Sequence, residues 1–386
     1  MKFRVLLVMA ISLMTTWIAA QTGLPAMAGV SDGQIVIYNG TPQTVAAVNN
    51  VWGMRWSADG QYLAYITTAS DGNYALYVTS GGAPTQLAAD VSYLPPSFDG
   101  QAVIYGRDGE SIQTTDQGPL LPIQLYRQAV DGESSLIGEI GFGVGCGGGS
   151  YFPMDGVYNT EAGFGGRALT LDYTDYGVIY SLNCAGVGLG LLDLSTGETR
   201  ILSETISRSL VRGSQVIGVN EAGGIQVIDL ASGSQRNVGT SQSPDQITTD
   251  GQTLYYSVRI LQGEPLPLSV EEAEALGRTM GLAADSVPQY QVAIYQLDLA
   301  SGAESQIYSE HGWAIGRLFL ADGALYFSLI PNGEGWVEAL ATGAIDPFSA
   351  ESFQQSRLSV QPTILRVSGG DVLEVASGIY QATPRP

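Results

Sequence analysis

The stretch Trp52-Gly-Met-Arg-Trp-Ser-Ala-Asp-Gly60, continued by Tyr62-Leu-Ala-Tyr-Ile-Thr67, Asp71-Gly-Asn-Tyr-Ala-Leu-Tyr-Val78 and Thr85-Gln-Leu-Ala-Ala89, decides the fold. Four short runs rich in aromatic and β-branched residues are separated by Asp-Gly or Gly-Gly, which reads as four antiparallel strands joined by tight turns. Four such strands make one blade of a β-propeller. The same order returns at Pro96-Ser-Phe-Asp-Gly100 with 102–105 and 124–126, at Thr249-Asp-Gly251 with 253–257 and 292–297, and at Ala321-Asp-Gly323 with 324–327 and 364–367. A compact copy runs over 209–238.

Working outward, a glycine-bearing turn between strand-like runs recurs at Asn39-Gly40, Gly81-Gly82, Asp131-Gly132, Thr196-Gly197, Ser232-Gly233, Ser301-Gly302 and Gly369-Gly370. Recurrence at blade-sized intervals is the mark of a repeat architecture. The expected fold is therefore an all-β propeller of seven blades: six with four strands each, and a partial one. The partial blade is an N-terminal hairpin, 34–38 and 44–46, whose open edge would be completed by C-terminal chain such as 378–382. A six-bladed ring with the hairpin packed outside is the alternative. Two insertions interrupt the repeat, at 261–290 and at 331–362. Ser269-Val-Glu-Glu272 has capping-box spacing and is followed by Ala273, Leu276 and Met280 on one helical face, and a second helix is expected over 349–355.

The run Trp56-Ser-Ala-Asp-Gly60, Tyr62-Leu-Ala-Tyr65, Asp71-Gly-Asn73 and Leu76-Tyr-Val78 resembles the repeat of TolB-like β-propellers of bacterial envelopes. Ala58 stands where the family usually has proline, and the α/β domain that precedes the founding member's propeller has no counterpart here. What the resemblance implies is a periplasmic or extracellular propeller that binds other proteins.

Lys2 and Arg4, the apolar run 6–20 and the small residues Ala26 and Ala28 have the pattern of a secretory signal peptide. Residues 1–28 are read as this leader and 29–386 as the propeller, with small residues allowing cleavage after Ala20 or after Ala28. No cysteine follows the apolar run, which argues against a lipoprotein anchor, and no later stretch is apolar enough to span a bilayer. The formal net charge is −21, and Lys2 is the only lysine in the chain. A surface this acidic repels phosphate backbones, so nucleic acid and anionic membrane are not expected partners, whereas cations and basic surfaces are attracted.

Chemistry-bearing residues are few. Cys146 and Cys184 are the only cysteines; in an exported chain such a pair most simply forms one disulfide. Closing a loop of that length stabilises by roughly 3–4 kcal/mol. His311 is the only histidine, which leaves a Ser-His-Asp hydrolase or a zinc site with a single choice, and it is read as a blade-junction residue. Nine Asp-Gly pairs are read as turns, since none extends to an Asp-x-Asp-x-Asp-Gly calcium loop. Glu161, Asp172 and Asp175 are the least turn-like carboxylates and form the candidate calcium site; no other cofactor is expected.

Arg55, Arg212 and Arg317 stand in or beside innermost strands, where guanidinium groups can converge on an anion or a carboxylate-bearing peptide end. The alternative is that each pairs with an acid of a neighbouring blade. Trp52, Trp313 and Trp336 form either an aromatic rim for binding or buried contacts between blades. No catalytic constellation stands out. The sequence reads as an exported protein- or peptide-binding scaffold, with a cation-dependent lyase or hydrolase on a propeller, or a purely structural envelope module, as the alternatives.

Overall fold

The computed structural model describes residues 24–386 except 32, 49–50, 70–71, 116–117, 145–168, 272, 275–285 and 332–360. It is all-β, built of antiparallel meanders, with a helical turn beginning at Val270, where the Ala273 N–H bonds the Ser269 carbonyl at 2.9 Å. Leu276, Met280 and the expected helix at 349–355 lie outside the described residues. No helix among the described residues is long and apolar enough to cross a membrane.

The stretch that opened the sequence reading forms one sheet in the order expected, Val51–Trp56, Leu63–Thr68, Tyr74–Thr79 and Thr85–Ala89. Further sheets follow along the chain. Ser97–Asp99, Ala102–Asp108, Gly118–Ala129 and Ser134–Gly143 pair in that order, with Gln113–Thr115 bonded beside the start of Gly118–Ala129. Ile247–Thr249, Thr253–Leu261, Tyr290–Asp298 and Glu304–His311 form another, and Ala314–Ala321, Ala324–Ile330, Thr363–Ser368 and Asp371–Ser377 the next.

Between them lies a seven-stranded sheet that is two meanders sharing one strand. Thr199–Arg212 bonds Val187–Leu192 through its first half and Gln215–Asn220 through its second. At the changeover Arg208 has φ 51°, and the register slips between Ser207 and Ser209. A left-handed residue within a strand turns the chain out of one ladder and into the next, as a β-bulge does.

The chain ends meet in one sheet, ordered Thr41–Ala47, Gln34–Asn39, Met27–Ser31 and Tyr380–Pro384. The expected closure by C-terminal chain is thus present, but the N-terminal side contributes three strands rather than a hairpin. Met27 and Ala28, placed by the sequence reading within the leader 1–28, are fully buried here. Gly29 is needed for this closure, since a Cβ at that position would stand 2.4 Å from Ile379 Cγ2.

Apolar side chains cluster between one meander and the next. Ile35, Ile37 and Tyr380 of the closing sheet pack on Leu63 and Tyr65; Ile66 and Leu76 pack on Val103 and Tyr105; Ile123 and Leu125 on Val178 and Tyr180. The sequence continues with Ile179 and Leu191 on Val216 and Ile228, Ile217 and Val227 on Leu254 and Tyr256, and Val292 and Ile294 on Leu325 and Phe327. Finally Phe319, Tyr326 and Ile364 pack on Val36 and Tyr38, which returns to the closing sheet. Each sheet hides its two faces between two neighbours and the series closes on itself, which is the construction of a β-propeller.

Strand alternation sorts the connections onto two faces. The link from first to second strand and that from third to fourth emerge at one end of every meander; the link from second to third and the link to the next sheet emerge at the other. The seven recurring turns all fall on the first, turn-bearing face. Three of them share a fuller pattern, Asp193-Leu-Ser-Thr-Gly197, Asp229-Leu-Ala-Ser-Gly233 and Asp298-Leu-Ala-Ser-Gly302. In each, the Asp Oδ1 accepts the Ser195, Ser232 or Ser301 N–H and hydroxyl at 2.6–2.8 Å, and the glycine has φ of 70–75°. Asp59 accepts from Gln101, Ser57 and Gln61 and ties the turns of two adjacent sheets.

These hydrogen bonds hold the Asp193, Asp229 and Asp298 carboxyls below the usual range and that of Asp59 at about 2. A carboxylate whose folded pKa lies below its unfolded value contributes stability that is complete above the unfolded pKa, about 4, and is lost as pH falls through the folded one. Thermal midpoints measured from pH 6 to 2 should therefore stay flat to about pH 4.5 and then fall. Asp59→Asn should reduce the slope of that fall; an unchanged slope would show that the turn network does not govern acid stability.

Candidate functional site

The inner strands carry the residues singled out as channel candidates. Arg55 extends from Val51–Trp56 past Ser97 to the strand Leu171–Thr174. It forms an ion pair with Asp172, and Nη1 also donates to the Leu171 carbonyl at 3.2 Å and to Ser97 Oγ at 3.4 Å. Ser97 Oγ in turn accepts the Tyr173 N–H at 2.9 Å. A predicted anion-binding arginine and a predicted cation-binding aspartate thus neutralise one another across three consecutive inner strands. Charge-assisted pairing of this kind fixes geometry more than it adds stability when the groups remain partly in water, and here the side chains are 34% and 17% exposed.

Arg212 is exposed and Nε reaches the Thr249 carbonyl at 3.4 Å. Arg317 lies half-buried at the bulge between Ile315 and Leu318, with its N–H on Ser328 Oγ at 2.8 Å. Arg55 bonds Ser97, Leu171 and Asp172 while Arg212 bonds Thr249, so these two arginines do not converge on one partner. Asp175 is exposed in the turn Thr174–Gly177, while Glu161, Trp336 and Cys146 lie outside the described residues. No group of three His, Cys, Asp or Glu that could hold a metal occurs among the described residues.

Sequence reasoning missed Arg208, which pairs with Asp245 at 3.0 Å and joins the shared strand to the next sheet. A serine that anchors inner strands was also missed. Ser181 and Ser257, both buried, accept the N–H of Thr170 and Gln246 through Oγ at 2.8 and 3.0 Å, and Ser328 does the same for Arg317. The signal was present in Val178-Ile-Tyr-Ser181, Leu254-Tyr-Tyr-Ser257 and Leu325-Tyr-Phe-Ser328, where a polar residue ends a buried run.

The second face, which carries the longer connections, is aromatic. Trp52 donates to Thr68 Oγ1 at 2.9 Å and meets Tyr74 edge-on at 5.2 Å; Tyr74 meets Tyr93 at 6.5 Å, and Tyr93 meets Phe142 at 5.7 Å. Burial, then the charge of Asp108, pushes the Tyr93 hydroxyl up to about 12. On the far side Trp313, buried, stands perpendicular to Tyr290 at 5.1 Å, and the Arg259 guanidinium lies 4.7 Å from the Tyr290 ring and 5.8 Å from that of Trp313. His311 is exposed beside this junction, at the end of Glu304–His311. Exposed Ile112, Leu261 and Val270 belong to this same face. The strand ends Gly143, Leu261, Ile330 and Thr363, which flank the longest connections, lie on this face.

No protein-family model and no curated protein matches the sequence. Solved structures do match in fold. A putative 6-phosphogluconolactonase from Bacteroides uniformis ATCC 8492 is 12% identical and aligns over 94% of this chain and 97% of its own, with a TM-score of 0.50. TolB from Acinetobacter baumannii is 12% identical over 76% of this chain and 66% of its own, TM-score 0.40. The β-propeller domain of the Trilobed protease from Pyrococcus furiosus is 10% identical over 85% and 83%, TM-score 0.46. The likeness is to propellers, TolB among them, and is one of fold alone.

Proposed function

We propose that this chain is an exported, seven-bladed β-propeller that binds a protein or peptide partner through the face bearing the long connections. The observation that carries the reading is the asymmetry of the two faces. One is closed by short turns, three of them fixed by an Asp Oδ1 that accepts a serine N–H and hydroxyl and one bearing exposed Tyr176; the other carries the long connections, exposed Ile112, Leu261 and Val270, and two groups of aromatic residues in edge-to-face contact. Apolar and aromatic side chains at loop ends on a rigid scaffold are the usual substance of a contact surface. Seven clusters between successive meanders among the described residues, six between sheets and one between the two halves of the seven-stranded sheet, with the last joining chain start to chain end, support the blade count. Lys2, Arg4 and the apolar run after them support export to the periplasm or beyond.

The Cys146–Cys184 disulfide belongs to the same reading. The Cys184 N–H donates to the Gly143 carbonyl at 2.9 Å, which lays the chain just ahead of Cys146 alongside Cys184.

The test is affinity capture from native envelope or culture fluid with three forms of the protein. Wild type should retain a partner that Ile112→Asp/Leu261→Asp/Val270→Asp loses and that Ile201→Asp, on an outer strand, keeps. All four positions are exposed, so stability should change by no more than about 0.5 kcal/mol. Identical partner sets from the triple variant and wild type would overturn the reading.

A further inference from the structure

Three sheets repeat one cross-strand pair. Tyr65 stands opposite Tyr77, Tyr105 opposite Tyr126 and Tyr256 opposite Tyr295, with ring centroids 5.5, 5.7 and 5.3 Å apart and planes within 19° of parallel. Two residues further along the second strand, on the same side of the sheet, come Thr67 and Val258, both buried and opposite Ala75 and Ala293. Leu329 follows Phe327 in the same way, opposite Thr363. In the sheet that begins at Ser97 this position is Arg107, and the residue opposite it is Gln124. One of these four sheets thus places an arginine and an amide where the others place small or apolar side chains.

Arg107 is not there to pair with an acid of its own chain. Its guanidinium lies 5.1 Å from the Tyr126 ring and 5.8 Å from that of Tyr105. Nε is buried with no hydrogen-bond partner, and the side chain makes no hydrogen bond or ion pair among the described residues. Yet Asp108 and Glu110 are close in sequence, and Glu139 stands across the sheet from Gln124. The two terminal nitrogens, unbonded and not enclosed, reach solvent. Stacking holds the guanidinium plane without using its N–H groups. Gln124 Oε1 accepts the Tyr126 hydroxyl at 2.9 Å, which leaves Nε2 as a further donor.

An arginine held half-buried with one nitrogen desolvated and unpaired costs free energy, and an apolar residue would pack here as it does in the other sheets. A flat fork of donors on aromatic rings suits a carboxylate, which accepts two parallel N–H bonds. The neighbouring acids hold back a bare anion, so the occupant must bring apolar contact as well. Such contact is at hand: Arg107 lies near the end of Ala102–Asp108, whose link to the next strand carries exposed Ile112 on the face of the long connections.

We infer that Arg107 and Gln124 form a subsite for a carboxylate of the peptide or protein partner, a side chain or a chain terminus flanked by an apolar residue. The inference rests on the proposed contact face and names the chemistry recognised there.

The test titrates the full chain with two acids, N-acetyl-phenylalanine and N-acetyl-phenylalanyl-glutamate amide, and with their neutral counterparts, N-acetyl-phenylalaninamide and N-acetyl-phenylalanyl-glutamine amide, followed by calorimetry and tyrosine fluorescence. At least one acid should bind saturably and its counterpart at least about tenfold more weakly, a difference of about 1.4 kcal/mol; which acid binds tells a chain terminus from a side chain. Arg107→Leu should abolish that preference while leaving the thermal midpoint equal or higher. Arg107→Gln should lose it too, so a folding defect in one variant does not hide the result. No saturable binding of either acid, equal affinity for acid and counterpart, or an acid bound by both Arg107 variants as tightly as by wild type would each overturn the inference. Affinity capture separates it from the reading beneath it. A partner lost by Ile112→Asp/Leu261→Asp/Val270→Asp yet held undiminished by Arg107→Leu would overturn the subsite and leave the contact face standing.

Discussion

A chain that starts at Gly29 is expected to be about 2–5 kcal/mol less stable than one that starts at Gln21. Met27 and Ala28 are fully buried, and Leu24 packs against the same cluster as Met27. Met27 pairs with both Tyr38 and Pro384, and Ala28 with Ile37 and Thr383, so their removal shortens two ladders at once. The Ala26 carbonyl, which accepts the Arg385 N–H at 2.8 Å, would be lost with them. A new ammonium would also stand at Gly29, which is buried against Ile379, and burying an unpaired charge is costly. Of the two cleavage points that the small residues permit, the fold therefore favours the one after Ala20. With export as proposed, terminal sequencing of the mature protein should read Gln21-Thr-Gly, and urea unfolding of the two chains should separate them; a mature protein starting at Gly29 with the same midpoint would refute this account.

Deletion of 380–386 should have the larger effect, about 5 kcal/mol or more, which is comparable with the whole stability of an ordinary domain. Tyr380 and Ala382 are buried, and each belongs to a different inter-sheet cluster. The segment also fastens the next sheet: Gln381 Nε2 donates to the Val51 carbonyl at 2.7 Å, Trp56 Nε1 to the Thr383 carbonyl at 3.2 Å, and Arg385 Nε to the Gly60 carbonyl at 2.6 Å. The Arg385 guanidinium covers the Trp56 ring at 5.2 Å. Without this strand, Met27–Ser31 becomes an open edge and the two clusters flanking the closing sheet are exposed, which favours association between chains. Circular dichroism and sedimentation of the truncated chain should show a broad, early melt and aggregation. A cooperative transition at the wild-type midpoint would mean that the ring does not depend on closure.

The two ends also show what the sequence could and could not disclose. Turns are local: Gly40, Gly81, Gly197, Gly233, Gly302 and Gly369 all have positive φ, the conformation that made glycine worth reading at those points. A buried strand at the chain start was not legible, because Ala26 and Ala28 carry two meanings. Small residues after an apolar run signal cleavage, and small residues are also what fits beside the C-terminal strand at the ring seam. Closure by C-terminal chain was legible because an exposed hairpin edge needs a partner.

The site was less legible for a related reason. Arg55 and Asp172 are 117 residues apart, and nothing near either of them indicates that their strands stand in the same channel. Their separate readings, anion site and cation site, were each reasonable for an isolated side chain and are resolved by one contact. Trp52 and Trp313 took the course common for large aromatic residues, the first half-buried and the second enclosed.

Because Thr199–Arg212 serves two meanders of one sheet at once, the wedge-shaped units on either side of Arg208 have no slack between them. Elsewhere around the circle, a stretch of irregular chain can absorb a small rotation of one unit against the next; here a shear would have to break ladder bonds. The doublet should therefore act as a rigid keel, and any breathing of the ring will be taken up at the junctions joined by irregular chain.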